Sequence, residues 1–415
     1  MSQIREAKEI NDWLLQMGIE GAPQDQILEG YCIRLVLAGI PVQRVHVAQR
    51  AYHPQFGGIG FDWIRDQGVV REAYARGQTP LARWLQSPLY HLMSRDHVDM
   101  RERLVDAPRP HRFPFLDELR DRGATDYFAM KVAFVKTPEN LGVDPDNPPE
   151  GFIISWTSDA ETGFSEDDLN TLRELQMVLG LALKSTSNRQ MASDLLSTYL
   201  GADAGERVLS GDIQRGSVEV THAVIWYFDL RGFTQLSERE EGVKVIEMLN
   251  AYFGEVVEVI EGQGGNVLKF MGDGLLAIFN ADAEFEAVNR AIEGAVEIED
   301  RLRTLSEVRT REGAPVTDYT LSLHLGDVLY GNIGGAARLD FTVIGAAVNT
   351  TARMQGMCGP TGQKIILSGA VAQRVQERKS QIVSLGRHML RGMAKPQELF
   401  TLYLGAAEQP LDNPA

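Results

Sequence analysis

Two hydrophobic periods alternate along this chain, and the switches between them mark its elements. Over Tyr319–Val328 the leucines at 321, 323 and 325 recur every second residue, which predicts a half-buried strand. Val224–Phe228 is an unbroken apolar run and predicts a buried strand over 223–229. In Asn266–Phe279, NVLKFMGDGLLAIF, two apolar runs flank Asp273-Gly274, which predicts a hairpin of strands 266–272 and 275–279. Between these segments Val245, Leu249, Phe253, Val256 and Ile260 fall at helical spacing. A capping-box pattern from Ser237 to Glu240 opens that helix, and Gly262 and Gly264 close it. A second helix turns Val288, Ile292, Ala295 and Leu302 inward. The order β-α-β-β-α-β predicts a ferredoxin-like split unit, within an α+β domain over 221–405.

Upstream, residues 1–185 read as a separate α+β domain. Leu28, Cys32 and Leu35 mark a helix over Ile27–Leu37 that stops at Gly39. Val42–Arg50, Asp126–Thr137 and Gly151–Thr157 read as strands, and the Pro- and Gly-containing Asn140–Glu150 as a loop. Ser165 starts a helix with acids in its first turn and Leu169, Leu172, Leu179 and Leu183 on its buried face. Residues 186–220 form a helical connector. Met191, Leu195, Leu196 and Tyr199 are spaced to pair with a second chain, and Gly201, Gly205 and Gly211 then break regularity. A plain spacer is the alternative. Residues 406–415 read as a flexible tail.

A chain of 415 residues exceeds one ordinary core, in keeping with this division. A net charge of −16 argues against a general nucleic-acid binder, which needs a basic surface. No stretch reaches the roughly 18 apolar residues of a membrane span. Cys32 and Cys358 lie far apart and form no metal-ligand spacing. A cytoplasmic protein, with no membrane and no nucleic-acid partner, is expected.

The chemistry gathers where polar residues interrupt apolar runs. Asp229 ends the strand in VIWYFDLRGFT, and Asp273 stands at the hairpin turn. Two converging carboxylates repel unless a cation lies between them, and hard divalent cations take carboxylate and phosphate oxygens. The Gly232-Phe233-Thr234 backbone, just before a helix, offers N–H groups to phosphate. Lys269 is four residues before Asp273, which places both on one face of a regular strand. Asn349 and Arg353 share a face if 341–357 is helical, where Arg suits phosphate and Asn suits a sugar or water. Arg391 and Lys395 add two cations near the end. His324 is polar on the alternating strand, where a base is one reading and a structural histidine on the other face is the favoured one. An ordinary solvated hairpin and helix surface are the alternatives to each of these functional readings.

Four motifs in order, FDLRGFT, LKFMGDG, FTVIGAAVN and NTTAR, make residues 221–404 resemble the class III nucleotidyl cyclases, specifically adenylate cyclases. The resemblance implies that Asp229 and Asp273, with the Leu230 carbonyl, bind two Mg²⁺ or Mn²⁺ ions. It implies that Lys269 and Thr342 select adenine, Thr342 standing where Asp is commonest in the family. Glu and Cys there would favour GTP. It further implies that Asn349 and Arg353 orient the ribose and stabilise the transition state, while Arg391 or Lys395 meets the terminal phosphates. ATP is then converted to 3′,5′-cyclic AMP and pyrophosphate by in-line attack of the ribose 3′-OH, in a site shared across a homodimer. A guanylate cyclase and a catalytically silent cyclase-like regulatory module are the alternatives. The end of the first domain, strand–loop–strand then GFSEDDLNTLRELQMVLGLAL, resembles a GAF-type sensor. Trp63, His53, His91 and Tyr90 are its candidates to line a pocket for an unidentified small molecule. A ligand-free dimerising domain is the other reading.

Overall fold

The computed structural model describes residues 2–50, 56–75, 82–95, 97–105, 107, 109–134, 151–214, 216–335 and 338–404. His53, the end of the strand expected to reach 137, the loop expected over 140–150 and the tail 406–415 lie outside the described residues. The chain divides into two compact units, Met1–Leu195 and Leu196–Ala415.

The first unit opens with α1 (Ser2–Glu20) and α2 (Gln24–Leu37), followed by β1 (Val42–Arg50), β2 (Phe56–Ile64) and β3 (Gly68–Ala75). Short helices α3 (Ala82–Leu85) and α4 (Pro88–Met93), then β4 (Asp99–Arg103) and α5 (Pro114–Asp121), lead to β5 (Asp126–Ala133), β6 (Gly151–Ser158) and α6 (Glu166–Leu200). The strands form one antiparallel sheet in the order β3-β2-β1-β6-β5-β4. One core joins Val45, Val47, Phe61, Trp63 and Trp156 to α1, α2 and α6 through Leu14, Tyr31, Leu172 and Leu179. A second core joins Tyr127, Ala129 and Ile153 to α4 and α5 through Leu89, Leu116 and Leu119. Trp63 belongs to the first of these cores. Tyr90 lies edge-on to Trp84, and His91 edge-on to Phe113 of the second core. The pocket expected to include Trp63, Tyr90 and His91 is therefore not assembled, because alternation along β2 turns Trp63 toward the α1, α2 and α6 core.

Helix α6 begins where acids and Ser165 predict. The Ser165 N–H donates to Asp168 Oδ2 at 2.8 Å, and the Asp168 N–H donates back to Ser165 Oγ at 3.1 Å. It runs unbroken to Leu200, where Gly201 (φ 88°) ends it. Gly205 was expected to break regularity but lies inside α7 (Ala202–Leu209). A Cβ there would come within 2.8 Å of the Ser197 backbone nitrogen, so the missing side chain lets α7 fold against the end of α6.

The second unit continues with β7 (Val218–Leu230), α8 (Phe233–Arg239), α9 (Gly242–Gly262), β8 (Asn266–Met271), β9 (Gly274–Asn280) and α10 (Glu284–Arg311). Then come β10 (Tyr319–Gly334), β11 (Leu339–Ile344), α11 (Ala346–Gln355), α12 (Cys358–Thr361), β12 (Ile365–Ser368), α13 (Gly369–Ala372), β13 (Ile382–His388) and β14 (Gln397–Leu402). The sheet order is β13-β14-β12-β10-β7-β9-β8, with β11 paired to β10. Its β10-β7-β9-β8 portion has the strand order of a split β-α-β unit with two crossover helices. Trp226, Phe228, Leu275 and Ala277 face α9 and α10 through Met248, Tyr252, Val256 and Ile292. Ile225, Leu276 and Ile278 face the other way, against Ala204 of α7 and Ala347 of α11. Burial on both faces is why β7 and β9 read as continuous apolar runs.

Two local expectations change. Ser237 caps nothing at α9; it lies within α8, donating to the Thr234 carbonyl at 2.9 Å, and Glu241 takes the N-cap place without a side-chain bond. The hairpin turns at Gly272-Asp273, because Met271 pairs with Gly274 and Gly272 carries the positive φ of 68°. Gly274 serves close approach instead. A Cβ there would lie 2.7 Å from the Phe228 carbonyl oxygen and 3.0 Å from Asp229 Oδ2.

Candidate active site

The end of β7 meets the turn of the β8–β9 hairpin. Asp229 pairs with Gly274, and the Leu230 N–H donates to the Asp273 carbonyl at 3.1 Å. On the other side Thr320 Oγ1 donates to the Asp229 carbonyl at 3.3 Å, and Gln355 of α11 donates to that hydroxyl at 2.7 Å. Backbone pairing thus fixes Asp229 and brings Asp273 beside it. Burial, and then the charge of Asp273, push Asp229 up to about 6, with no basic group offsetting them. The same pair of charges helps raise the Tyr227 phenol on the preceding residues of β7, after burial. Two uncompensated carboxylates and a nearby backbone carbonyl are a hard oxygen donor set, and they fit Mg²⁺ or Mn²⁺. Among the described residues no cluster of three or more His, Cys, Asp or Glu side chains forms a closed metal cage. The remaining positions of such an ion would fall to substrate phosphates and water.

The equal-face expectation for Lys269 and Asp273 does not apply. The strand ends at Met271, and Asp273 stands in the turn after Gly272 (φ 68°), so parity no longer links them. Lys269 reaches instead toward β11, where its Nζ lies 3.3 Å from Asp340 Oδ2. Thr342, two residues on, is 5% exposed, and its Oγ1 has no hydrogen-bond partner. A buried hydroxyl without a partner is costly.

Asn349 and Arg353 lie on the exposed face of α11, whose buried face is Ala347, Thr350, Thr351 and Met354. Ser322 of β10 donates to the Thr351 carbonyl at 3.0 Å and seats the helix on the sheet. The turn at Arg391-Gly392 comes beside Arg353, since a Cβ on Gly392 (φ 73°) would stand 3.6 Å from Arg353 Nη2. Arg391 and Lys395 are both exposed on that segment, which Leu390 anchors in a small core with Met354 and Cys358. Gly232 (φ 65°) leads into α8, so the first-turn N–H groups of Phe233 and Thr234 have no helical acceptor. Among the described residues no hydrogen bond or ion pair joins Lys269, Thr342, Asn349 or Arg353 to either carboxylate. An open groove of about 830 Å³, lined by residues such as Glu299, Lys364 and Asp318, includes none of these side chains. His324 packs beneath α11 near Gly326 and Ala347. Burial lowers it to about 4, so it is a neutral structural group.

The sequence reading missed Asp340 and the Gln355–Thr320 tie. Asp340 immediately precedes the FTVIGAAVN motif, where a charge at a strand start reads as surface. Gln355 becomes a neighbour of Thr320 only through tertiary packing.

Residues 217–404 match the family described as the adenylate and guanylate cyclase catalytic domain. Among curated relatives, Adenylate cyclase 1 of Rhizobium meliloti (strain 1021) is 30% identical over 152 residues, 36% of this chain and 23% of that protein. Adenylate cyclase of Anabaena cylindrica is 28% identical over 168 residues, 40% of this chain and 33% of that protein. The chain thus spans well under half the length of these relatives. Among solved structures, the guanylyl cyclase Cya2 is 28% identical with a TM-score of 0.40, covering 47% of this chain and 97% of that one. Among the described residues no helix is long and apolar enough to cross a membrane.

Proposed function

We propose that this chain is an adenylate cyclase that converts ATP to 3′,5′-cyclic AMP and pyrophosphate in sites shared across a homodimer. The observation that carries this reading is the Asp229–Asp273 pair, held together by backbone pairing with no basic counter-charge. Divalent cations bound there would supply Lewis-acid stabilisation of the 3′-oxygen and of the phosphate charge. The 3′-oxygen forms its bond to the α-phosphorus as the bond to pyrophosphate breaks, and its proton leaves to water. No side chain in the described geometry stands out as a general base. Asn349 orients the ribose, and Arg353 meets charge developing on the phosphates. The Arg391–Lys395 turn beside Arg353 adds cations for the terminal phosphates, and the free N–H groups after Gly232 donate to phosphate oxygens. Lys269 donates to the adenine ring, and the Thr342 hydroxyl both donates and accepts at the base edge.

Among the described residues no hydrogen bond or ion pair joins Lys269, Thr342, Asn349 or Arg353 to the carboxylates of their own chain, which supports a partner chain supplying them. Residues 1–185 are read as a GAF-like sensor and dimerising domain, supported by an antiparallel sheet with helices packed on both faces. Residues 186–220 would carry its signal to the catalytic domain at 221–405, in a cytoplasmic protein. The test is to measure cyclic nucleotide formed from ATP and from GTP, with Mg²⁺ and with Mn²⁺. Cation-dependent cyclic AMP with ATP preferred is expected. Product from GTP alone would replace adenylate by guanylate cyclase, and no product from either would leave a silent regulatory module.

A further inference from the structure

Strands β8 and β11 carry Lys269 and Thr342, yet they are not neighbours in the sheet. Among the described residues β8 pairs with β9 alone, and β11 with β10 alone. No backbone ladder therefore sets the distance between the two side chains read as the base selectors. The polar ties across this gap are made by side chains. Lys269 Nζ on β8 donates to Asp340 Oδ2 on β11 at 3.3 Å, while Asn266 Nδ2 near the start of β8 donates to the Tyr330 hydroxyl of β10 at 3.3 Å. Asp340 and Thr342 are two apart on β11, hence on one face of it. A lysine stem with four rotatable bonds points in one direction only when its head is held. The bond to Asp340 uses one of the three ammonium donors and leaves two, with the head held against the strand that carries the unpartnered Thr342 hydroxyl.

We propose that Asp340 is a positioning residue for base choice: its carboxylate holds Lys269 against β11 so that the lysine and Thr342 read the same purine edge. The inference rests on the reading of Lys269 and Thr342 as base selectors. Adenine offers the held lysine a ring-nitrogen acceptor, whereas guanine presents a donor at the corresponding position. A lysine released from Asp340 can swing to the guanine O6 acceptor, so the loss falls on ATP more than on GTP. The pair is part exposed, the lysine side chain 34% and the aspartate 59%, so its effect belongs to positioning and not to fold stability.

The experiment uses the full chain and compares kcat/KM for ATP and GTP in wild type, Asp340→Asn, Asp340→Glu, Lys269→Ala and the Lys269→Ala/Asp340→Asn double variant. Asp340→Asn is expected to lower the ATP-to-GTP ratio about three- to fivefold, the scale of one exposed charge pair, mainly through KM for ATP. Asp340→Glu, which keeps the charge, is expected to restore most of the ratio. In the Lys269→Ala background Asp340→Asn should add nothing. An unchanged ratio in Asp340→Asn, or the same shift with Lys269 already removed, overturns the role of Asp340 while Lys269→Ala still shifts the ratio. If Lys269→Ala itself leaves the ratio alone, the base-selector reading fails, and this inference with it. Calorimetric binding of 3′-deoxy-ATP and 3′-deoxy-GTP, which cannot cyclise, makes the same comparison without turnover.

Discussion

The carboxylate end of the second unit and the end proposed to select the base are built on opposite principles. Asp229 is held by strand pairing on both sides, and the Leu230–Asp273 backbone bond closes the contact. Its geometry is therefore nearly independent of side-chain rotamers. It carries an electrostatic cost, two like charges in a partly dry setting, that the surrounding apolar core sustains. Lys269 and Thr342 instead lie on strands without a shared ladder, joined through an exposed side-chain pair. The first end is suited to a fixed chemical task. The second can change by single substitutions without disturbing the sheet, which suits a site where substrate choice is adjusted.

The contrast is broken most severely by removing a carboxylate. Asp273→Ala should lower cyclic AMP production by about 100- to 1,000-fold, as expected for a group that stabilises charge in the transition state. Asn349→Ala should be similarly inactive. If the two ends of a site come from different chains, mixing these variants restores one intact site per mixed dimer. With random exchange about half the dimers are mixed, so roughly a quarter of wild-type activity should return. Exchange verified with two affinity tags, but without recovered activity, would place each site within one chain.

At the base-selector end the Lys269→Glu/Thr342→Cys variant should shift the kcat/KM ratio toward GTP by about 10- to 100-fold, because the donor and acceptor pattern inverts. A ratio that does not move would mean that this pair does not read the base. Far-ultraviolet circular dichroism and Tm should stay near wild type, as a side-chain-built patch requires.

A smaller change sharpens the claim that the backbone builds the carboxylate end. Gly274→Ala places a methyl group against the Phe228 carbonyl and Asp229 Oδ2. It should destabilise the fold by about 1–3 kcal/mol, measured by chemical denaturation, and lower turnover by displacing Asp229. The same substitution at Gly254, which has open space around it, serves as the control.

The smallest effect on turnover concerns His324, beneath α11 and away from both ends. Its folded pKa of about 4 lies below the ordinary histidine value, so the unfolded chain binds the extra proton first. Stability therefore falls as pH drops from about 6.5 toward 4, and the histidine is neutral in both states above that window. Its contribution to that loss should be about 3 kcal/mol by pH 4, read as the difference in unfolding free energy between wild type and His324→Gln across those pH values. Parallel pH curves for the two proteins would show that the ring does not titrate in this way.

Continuous apolar runs located β7 and the β8–β9 hairpin, and period located the first part of β10, the inward face of α10 and the helix α9. In α9 the buried face includes Met248, Tyr252 and Val259, with Leu249 and Phe253 half-buried, and in β10 Thr320 and Ser322 are buried as well as the leucines. The motif residues Asp229, Lys269, Asp273, Asn349 and Arg353 stood out because each interrupts or flanks a strongly patterned segment. Elements with weak pattern did not stand out. The Gly-rich β2, the mixed-polarity α7 and the short β11 take their form from what they pack or pair against. Only the tertiary structure moved the turn to Gly272-Asp273 and gave Gly274 to close approach, since a sequence names a glycine without saying whether its φ or its missing side chain is needed. Likewise, the contact between Lys269 and Asp340 spans 71 residues and two strands that never pair, and no local period carries information of that range.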